Sequence, residues 1–504
     1  MAIINSIFGW LNIKRMSQID LFRKYPVDVQ METLQKLLRK AKETEYGKKY
    51  NFDSVNSVAD FQSRVPLQDY EQLKEPVSRL RKCEQNILWP SEIKWFAKSS
   101  GTTSDKSKFI PVSRESLEKC HFRGGKDVLA IFGSLYPSNN LFKGKALALG
   151  GSHQVNEFSN ESYYGDLSAV LMQNLPFWAE FMRTPNLEIA LMDEWESKIE
   201  KMAHATIKDN VTSIAGVPSW TLVLLKRILE ITKKNNISEI WPNLELFVHG
   251  GVSFAPYRNQ FKKLIASENM KYMETYNASE GFFAIQDDLS TNDMLLMLDY
   301  GIFYEFIPME EFFKENPTVK IIGEVEIGKN YAIVITTNAG LWRYIIGDTV
   351  KFTSLYPHKI IITGRTKHFI NAFGEELIIE NAEQAINIAC EKTHSQIKEY
   401  TAGPIYMTET NKGSHEWLFE FSLPPSNMDF FMETLDNALK AANSDYEAKR
   451  YRNISLDFPK YKVLPDGIFY HWLKLKGKLG GQHKIPRLAN HREYLDELLT
   501  LKKN

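Results

Sequence analysis

Short apolar runs alternate with longer amphipathic ones along most of the chain, and that alternation predicts strands followed by helices. The segments "KALALGG" (145–151), "TSIAGVP" (212–218), "LELFVHGG" (244–251), "KYMETY" (271–276) and "YAIVITT" (331–337) are apolar, of strand length, and stop near Gly, Pro or polar residues. "SWTLVLLKRILEITKKN" (219–235) is apolar around most of its circumference and closes with basic residues, which predicts a helix buried on most sides. Strands alternating with helices give an α/β sheet, and ligands of such sheets collect at the carboxyl ends of the strands. Gly150, Gly216 and Gly250 stand at three of those ends.

Beyond "IIITGRTKHFINAFGEEL" (360–377) the texture changes. A helical "IENAEQAINIACEKT", a strand-like "EWLFEFSL" (416–423), a further helix around 426–442 and an apolar-aromatic run ending "GIFYHWLKLK" make up a small α+β unit. A chain of 504 residues is too long for one core. The boundary is therefore expected near Gly364 to Lys367, giving a large domain over 1–364 with mixed and parallel sheet, and a small mobile lid over 365–504. The opening "MAIINSIFGWLNIKRM" predicts an amphipathic helix packed on the body; it lacks the basic leader and cleavage site of a signal peptide. No segment reaches the ~20 apolar residues of a membrane span, so stable membrane insertion is not expected.

Charge and cysteine content narrow the choice of partners. Lys plus Arg equals Asp plus Glu, 62 of each, so no global field draws in nucleic acid. Cys83, Cys120 and Cys390 are odd in number and far apart, which argues against a disulfide framework or a thiolate zinc site and fits a reducing cytoplasm. A cytoplasmic monomer acting on small molecules is the expectation.

Candidate chemistry lies first in "WFAKSSGTTSDKSKFIPVS" (95–113), where Ser99, Ser100, Gly101, Thr102, Thr103, Ser104 and Ser107 stand beside Lys98, Lys106 and Lys108. Hydroxyls, glycine-freed backbone N–H groups and ammonium groups are what a polyphosphate needs, although a solvated turn has the same composition. "METYNASEGFFAIQDD" (273–288) presents Tyr276, Ser279 and Glu280 at a turn between two strands. "WRYIIGDTVKF" (342–352) offers Arg343, Tyr344 and Asp348 beside a glycine, and "GGQHKIPR" (480–487) puts Gln482, Lys484 and Arg487 on a flexible loop. Taken singly, each has a plainer reading: a core aromatic, a turn-capping aspartate, a solvated lysine.

In their order, "SSGTT", "YNASEG", "WRYIIGD", a "GR" hinge and "GGQHKIPR" resemble the plant auxin-responsive acyl-acid amido synthetases, the Gretchen Hagen three family. More distantly the chain resembles the adenylate-forming superfamily of acyl-CoA synthetases, nonribosomal adenylation domains and firefly luciferase. The likeness spans nearly the whole chain, whose shorter length resembles a bacterial version. It implies that Ser99, Ser100, Gly101, Thr102 and Thr103 line a loop over the ATP phosphates, with Lys108 as a phosphate ligand. It implies further that Tyr276 and Ala278 border the adenine, that Gly250, Gly251 and Val252 lie close to the base, and that Ser279 approaches the α-phosphate. Glu280 would hold Mg²⁺, Asp348 would accept from the ribose hydroxyls, Arg365 would stand at the nucleotide beside the hinge, and Lys484 would be the catalytic lysine delivered by the small domain. Asp105 departs from the glycine common in plant relatives, and Trp342 has no assigned role.

The implied reaction joins a carboxylic acid to an amino acid through an acyl-adenylate, with ATP and Mg²⁺ as cofactors. An acyl-CoA ligase with the same first step stays open. So does a serine hydrolase, since "NASEG" is one residue from G-x-S-x-G and "HGG" lies upstream, though "FFAIQ" reads as strand where that elbow needs a helix. A non-catalytic binding protein is a further alternative, against which Glu280 and Asp348 argue. Phe122, Leu171, Phe177 and Trp178 are candidates for an apolar acid pocket.

Overall fold

The computed structural model describes residues 2–100, 107–149, 156–159, 161–192, 194–252, 254, 257–366, 369–408, 411–451, 456–476 and 486–501. Its backbone is one twelve-stranded sheet that changes character at a single strand. On one side of Lys271–Ala278 run parallel strands, Leu246–His249, Val211–Ala215, Lys145–Ala148 and Arg183–Thr184. On the other side every neighbour is antiparallel, from Gly281–Ile285 through Met294–Leu296, His358–Arg365 and Tyr344–Leu355 to Asn330–Thr337 and Ile302–Pro308.

The parallel strands are shorter than the apolar runs that predict them. "TSIAGVP" leaves the sheet after Ala215 because Pro218, which has no N–H to give a ladder, instead opens the helix Pro218–Thr232. That helix stops at Thr232, before the predicted 235, with Lys233 in the left-handed region at φ +55°. Together with Arg258–Ile265 it covers one face of the parallel strands, where Phe247 and Phe261 stack with ring centroids 4.6 Å apart.

The opposite face and the antiparallel half share a second, larger core with the amino-terminal helices. In the first of these, Ala2–Lys24, the side chains of residues 1–12, which hold most of the apolar positions of the opening, lie outside the described residues; further along Ile13 is exposed, Ile19 and Phe22 are buried, and Arg15 pairs with Asp127 and Asp299 at 2.6 Å each. A four-stranded sheet lies beside this core, in which Trp95–Ser100 and Ser107–Val112 form a hairpin pairing Ser99 with Lys108.

Residues 370–488 close around a core of their own. The helices Ile379–Thr393 and Met428–Ala442 lie on the strands Gln396–Ile405 and Ser414–Leu423, burying Phe373, Trp417, Phe419, Phe431 and Leu435. Burying a side chain such as Phe419 contributes about 1.5–3 kcal/mol, so this unit has an apolar interior independent of the large sheet. The chain enters it directly from the strand His358–Arg365. Among the described residues no helix is long and apolar enough to cross a membrane.

Candidate active site

The carboxyl ends of the parallel strands open onto a cleft of about 1370 Å³ whose far wall is built by the small unit. Brought together there are Lys98, Ser99 and Lys108 from the hairpin, Gly250, Gly251 and Val252 after one strand, Tyr276, Ala278, Ser279 and Glu280 after the next, and Asp348 and Arg365. Most of the expected site residues thus converge from five separate stretches of chain.

Asp348 sits in the middle of Tyr344–Leu355, one residue after Gly347, whose φ of +96° lets the strand change course. Across the ladder it faces Arg365, the last residue of the partner strand. Arg365 Nε donates to Asp348 Oδ1 at 2.9 Å, and Tyr276 Oη donates to Asp348 Oδ2 at 2.7 Å. Each carboxylate oxygen has two lone pairs, so after these two bonds Asp348 can still accept from hydroxyls in the cleft. Burial works to lower the pKa of Arg365, but Glu376, whose Oε1 is 3.6 Å away, and Asp348 together hold it above the ordinary arginine range. Tyr276 is a neutral phenol: burial, reinforced by Asp348, pushes its pKa well up. Its ring tilts against Phe283, with centroids 4.8 Å apart.

Glu280 is the second residue of the turn between Ala278 and its ladder partner Gly281, and it is buried. Desolvation raises its pKa to about 7, opposed by the positive field of Lys108, with Asp348 and Glu376 raising it further. Lys108 is shifted the opposite way, its pKa lowered chiefly by desolvation. A cation on Glu280 would relieve the first cost, and an anion beside Lys108 the second. The glycine at 250 is set by sterics, since a Cβ there would come within 2.4 Å of the Thr275 carbonyl oxygen.

Other residues of the same motifs belong to the scaffold. Arg343 turns away from the cleft, pairing with Glu305 at 3.0 Å and donating to the carbonyls of Gln62 and Val65. Trp342 packs on Phe52 and Tyr46 and donates its indole N–H to the Leu88 carbonyl, which accounts for a residue the sequence left without a role. Leu171 lines the cleft, whereas Phe122 packs on the main core; the side chains of Ser100, Phe177 and Trp178 lie outside the described residues. Gly101, Thr102, Thr103, Asp105 and Lys106 also lie outside them, as do Gln482 and Lys484. Ser279 does not stand on a strand-to-helix elbow: the chain returns as the strand Gly281–Ile285, which removes the geometry a serine hydrolase needs.

Sequence reasoning passed over Glu376, Trp220, Asp445 and Lys449, all of which line the cleft. The pair "EE" after Gly374 carried a signal for the first of these. Glu375 folds inward, accepting from the backbone N–H groups of Ala372 and Phe373 and meeting His415 at 2.8 Å, and so leaves Glu376 to face Arg365.

The architecture recurs in solved structures. The acyl acid amido synthetase AtGH3.15 in complex with 2,4-DB superposes with a TM-score of 0.61 at 17% identity, covering 94% of this chain and 93% of that one. A 2-hydroxyisobutyryl-CoA ligase with 2-HIB-AMP and CoA gives 0.59 at 14% identity, covering 94% and 92%. The fold is that of the adenylate-forming ligases. Residues 15–270, 295–365 and 380–493 match the sequence profiles of the GH3 family N-terminal, central and C-terminal domains, and the chain belongs to the GH3 family. Similar curated proteins include the indole-3-acetic acid-amido synthetase GH3.3 of Arabidopsis thaliana, 23% identical with 92% of this chain and 89% of that protein covered. The jasmonoyl-L-amino acid synthetase GH3.5 of Oryza sativa subsp. japonica is also 23% identical, with 94% of each covered.

Proposed function

We propose that the protein is an ATP-dependent acyl-acid amido synthetase. The observation that carries this reading is the junction of Tyr276, Asp348 and Arg365 in the same cleft as the buried Glu280 and Lys108. In the first step a carboxylate oxygen of the acid attacks the α-phosphorus of ATP and pyrophosphate leaves. In the second an amino acid nitrogen attacks the acyl carbonyl; the C–N bond forms, the C–O bond to phosphate breaks, AMP leaves and the amine gives up a proton.

No protein nucleophile is needed, so these residues work by position and charge. Asp348 accepts from the ribose hydroxyls while Arg365 and Tyr276 hold its carboxylate still. Gly250, Gly251 and Val252 border the base with Tyr276 and Ala278, and Ser279 approaches the α-phosphate. Ser99, Ser100, Gly101, Thr102, Thr103 and Lys108 meet the phosphates. Glu280 holds Mg²⁺. Among the described residues there is no group of three or more acidic, histidine or cysteine side chains placed to hold a metal, and a lone carboxylate suits Mg²⁺, which keeps its waters and shares substrate phosphates. When bound, Mg²⁺ neutralises charge that builds on the phosphate oxygens.

Residues 1–364 form the binding body and 365–504 the moving lid, hinged at Gly364, where φ is +145°, and Arg365. Lys484 is the lysine that the lid brings to the α-phosphate. Leu171, Met172, Val128 and Leu129 give the acid an apolar berth in the cleft. The protein works as a cytoplasmic monomer, in keeping with Cys83, Cys120 and Cys390, which form no disulfide among the described residues.

The test is a panel of carboxylic acids and pooled amino acids with MgATP, following pyrophosphate and AMP and identifying products by mass spectrometry, beside Glu280→Ala and Asp348→Ala. Amides that disappear in both variants are the expected result. Pyrophosphate release coupled to CoA and not to an amine would overturn the amide assignment in favour of a thioester ligase.

A further inference from the structure

One cation in the cleft has no part in the nucleotide chemistry above. Lys449 lies on the short helix Ser444–Arg450 of the small unit, and its Nζ stands 4.1 Å from the ring centroid of Trp220, on the helix Pro218–Thr232 of the large one. Among the described residues no salt bridge joins it to a carboxylate, and Asp445, Asp166, Glu375 and Glu376 act on it only through their field. Desolvation dominates its electrostatics and lowers its pKa. An ammonium held partly out of water, on an aromatic face and without a bound counter-ion, is set to take an anion from the cleft.

The loop opposite leaves room for it. Gly374 has φ +86°, and a Cβ there would lie 3.3 Å from Lys449 Cε and 3.7 Å from Nζ. Two residues further on, Glu376 reaches Arg365, which holds Asp348. One short loop of the small unit thus meets both cations, with Gly374 against Lys449 and Glu376 against Arg365. The phosphate-side cations, Lys98 and Lys108, come from the hairpin of the large unit.

We propose that Lys449 binds the carboxylate of the acceptor amino acid, with Trp220 as its backing wall, and so makes the enzyme select amino acids over simple amines. This rests on the amide-forming reading above. An α-amino acid carries its carboxylate one carbon from the nucleophilic nitrogen, so the residue that grips the carboxylate also aims the amine. A carboxylate–lysine contact in a partly desolvated site is a charge-assisted hydrogen bond.

The experiment compares each proteinogenic amino acid with its own α-carboxamide as acceptor, taking the ratio of kcat/KM values in the wild type, Lys449→Met and Lys449→Arg. The wild type is expected to favour the free acid, Lys449→Met to reduce that preference about tenfold or more, and Lys449→Arg to keep most of it. Because the ratio is internal to each protein, a partly unfolded sample scales both rates alike. An unchanged preference in Lys449→Met, with amides still forming, overturns the assignment and leaves the amide-forming reading standing. A wild type that releases pyrophosphate with an acid yet makes no amide with any acceptor overturns both.

Discussion

Two arginines on the same run of sheet meet carboxylates under opposite conditions. Arg343, just before the strand that carries Asp348, pairs with Glu305 where the two side chains are 4% and 0% exposed. Arg365, across the ladder from Asp348, pairs with it where the side chains are 23% and 13% exposed and the cleft opens beside them. The first pair is closed by backbone carbonyls of Gln62 and Val65 and has no free face. The second keeps lone pairs turned toward open space. Identical chemistry is thus sealed in one place and open to the cleft in the other, and access is what separates them.

The largest effect expected from breaking this contrast is on stability. Arg343→Met strands Glu305 without its cation in a sealed interior, a loss of about 3–5 kcal/mol read by chemical denaturation. A loss below about 1 kcal/mol would mean that the sealed pair is not structural. Asp348→Ala is expected to do the reverse: unfolding barely moves, while the KM for ATP rises about tenfold or more through lost charge-assisted bonds. Should its melting temperature fall as far as that of the Arg343 variant, Asp348 is scaffold as well.

Titration sharpens the same distinction. The Glu280 carboxyl has a pKa of about 7 in the folded protein, against about 4.5 in the unfolded chain, so between those values the native state holds a proton that the unfolded state has released. Stability of the ligand-free protein should therefore fall as pH rises through that window, by up to about 1.4 kcal/mol per unit, and level off above it. Melting curves of Glu280→Gln should lack that component of the slope; an unaltered slope would assign it to other groups. The smallest effect belongs to Tyr276→Phe, which removes one of two donors to Asp348. Weaker ATP binding by about 1 kcal/mol, roughly fivefold, is expected by calorimetry, and no change at all would mean that Arg365 alone orients the carboxylate.

What could be read in advance follows from how local each signal is. Short apolar runs and turn residues placed the strand through Tyr276, the turn at Ser279 and the returning strand, because an apolar run bounded by a turn is written into adjacent residues. "WRY" misled because its meaning depends on distant partners: Arg343 looks like a ligand-binding cation until Glu305, 38 residues away, closes on it, and Trp342 finds Leu88 254 residues away. Lys449 shows the converse. "SDYEAKR" has the composition of a solvated helix, and only tertiary packing against Trp220 and Gly374 turns that lysine inward. The polar loop after Ser99 was conspicuous in the sequence for its donors, which are a property of composition and need no partner to be seen.

The rung that joins Asp348 to Arg365 is also the last rung before the chain crosses into the small unit. A molecule gripped by Asp348 would consequently feel where that crossing begins, and a displacement of the small unit that drew Arg365 off the carboxylate would alter the grip. Reciprocity then runs in both directions: a ligand that prefers the intact rung biases the posture of the small unit by the same free energy with which that posture favours the ligand.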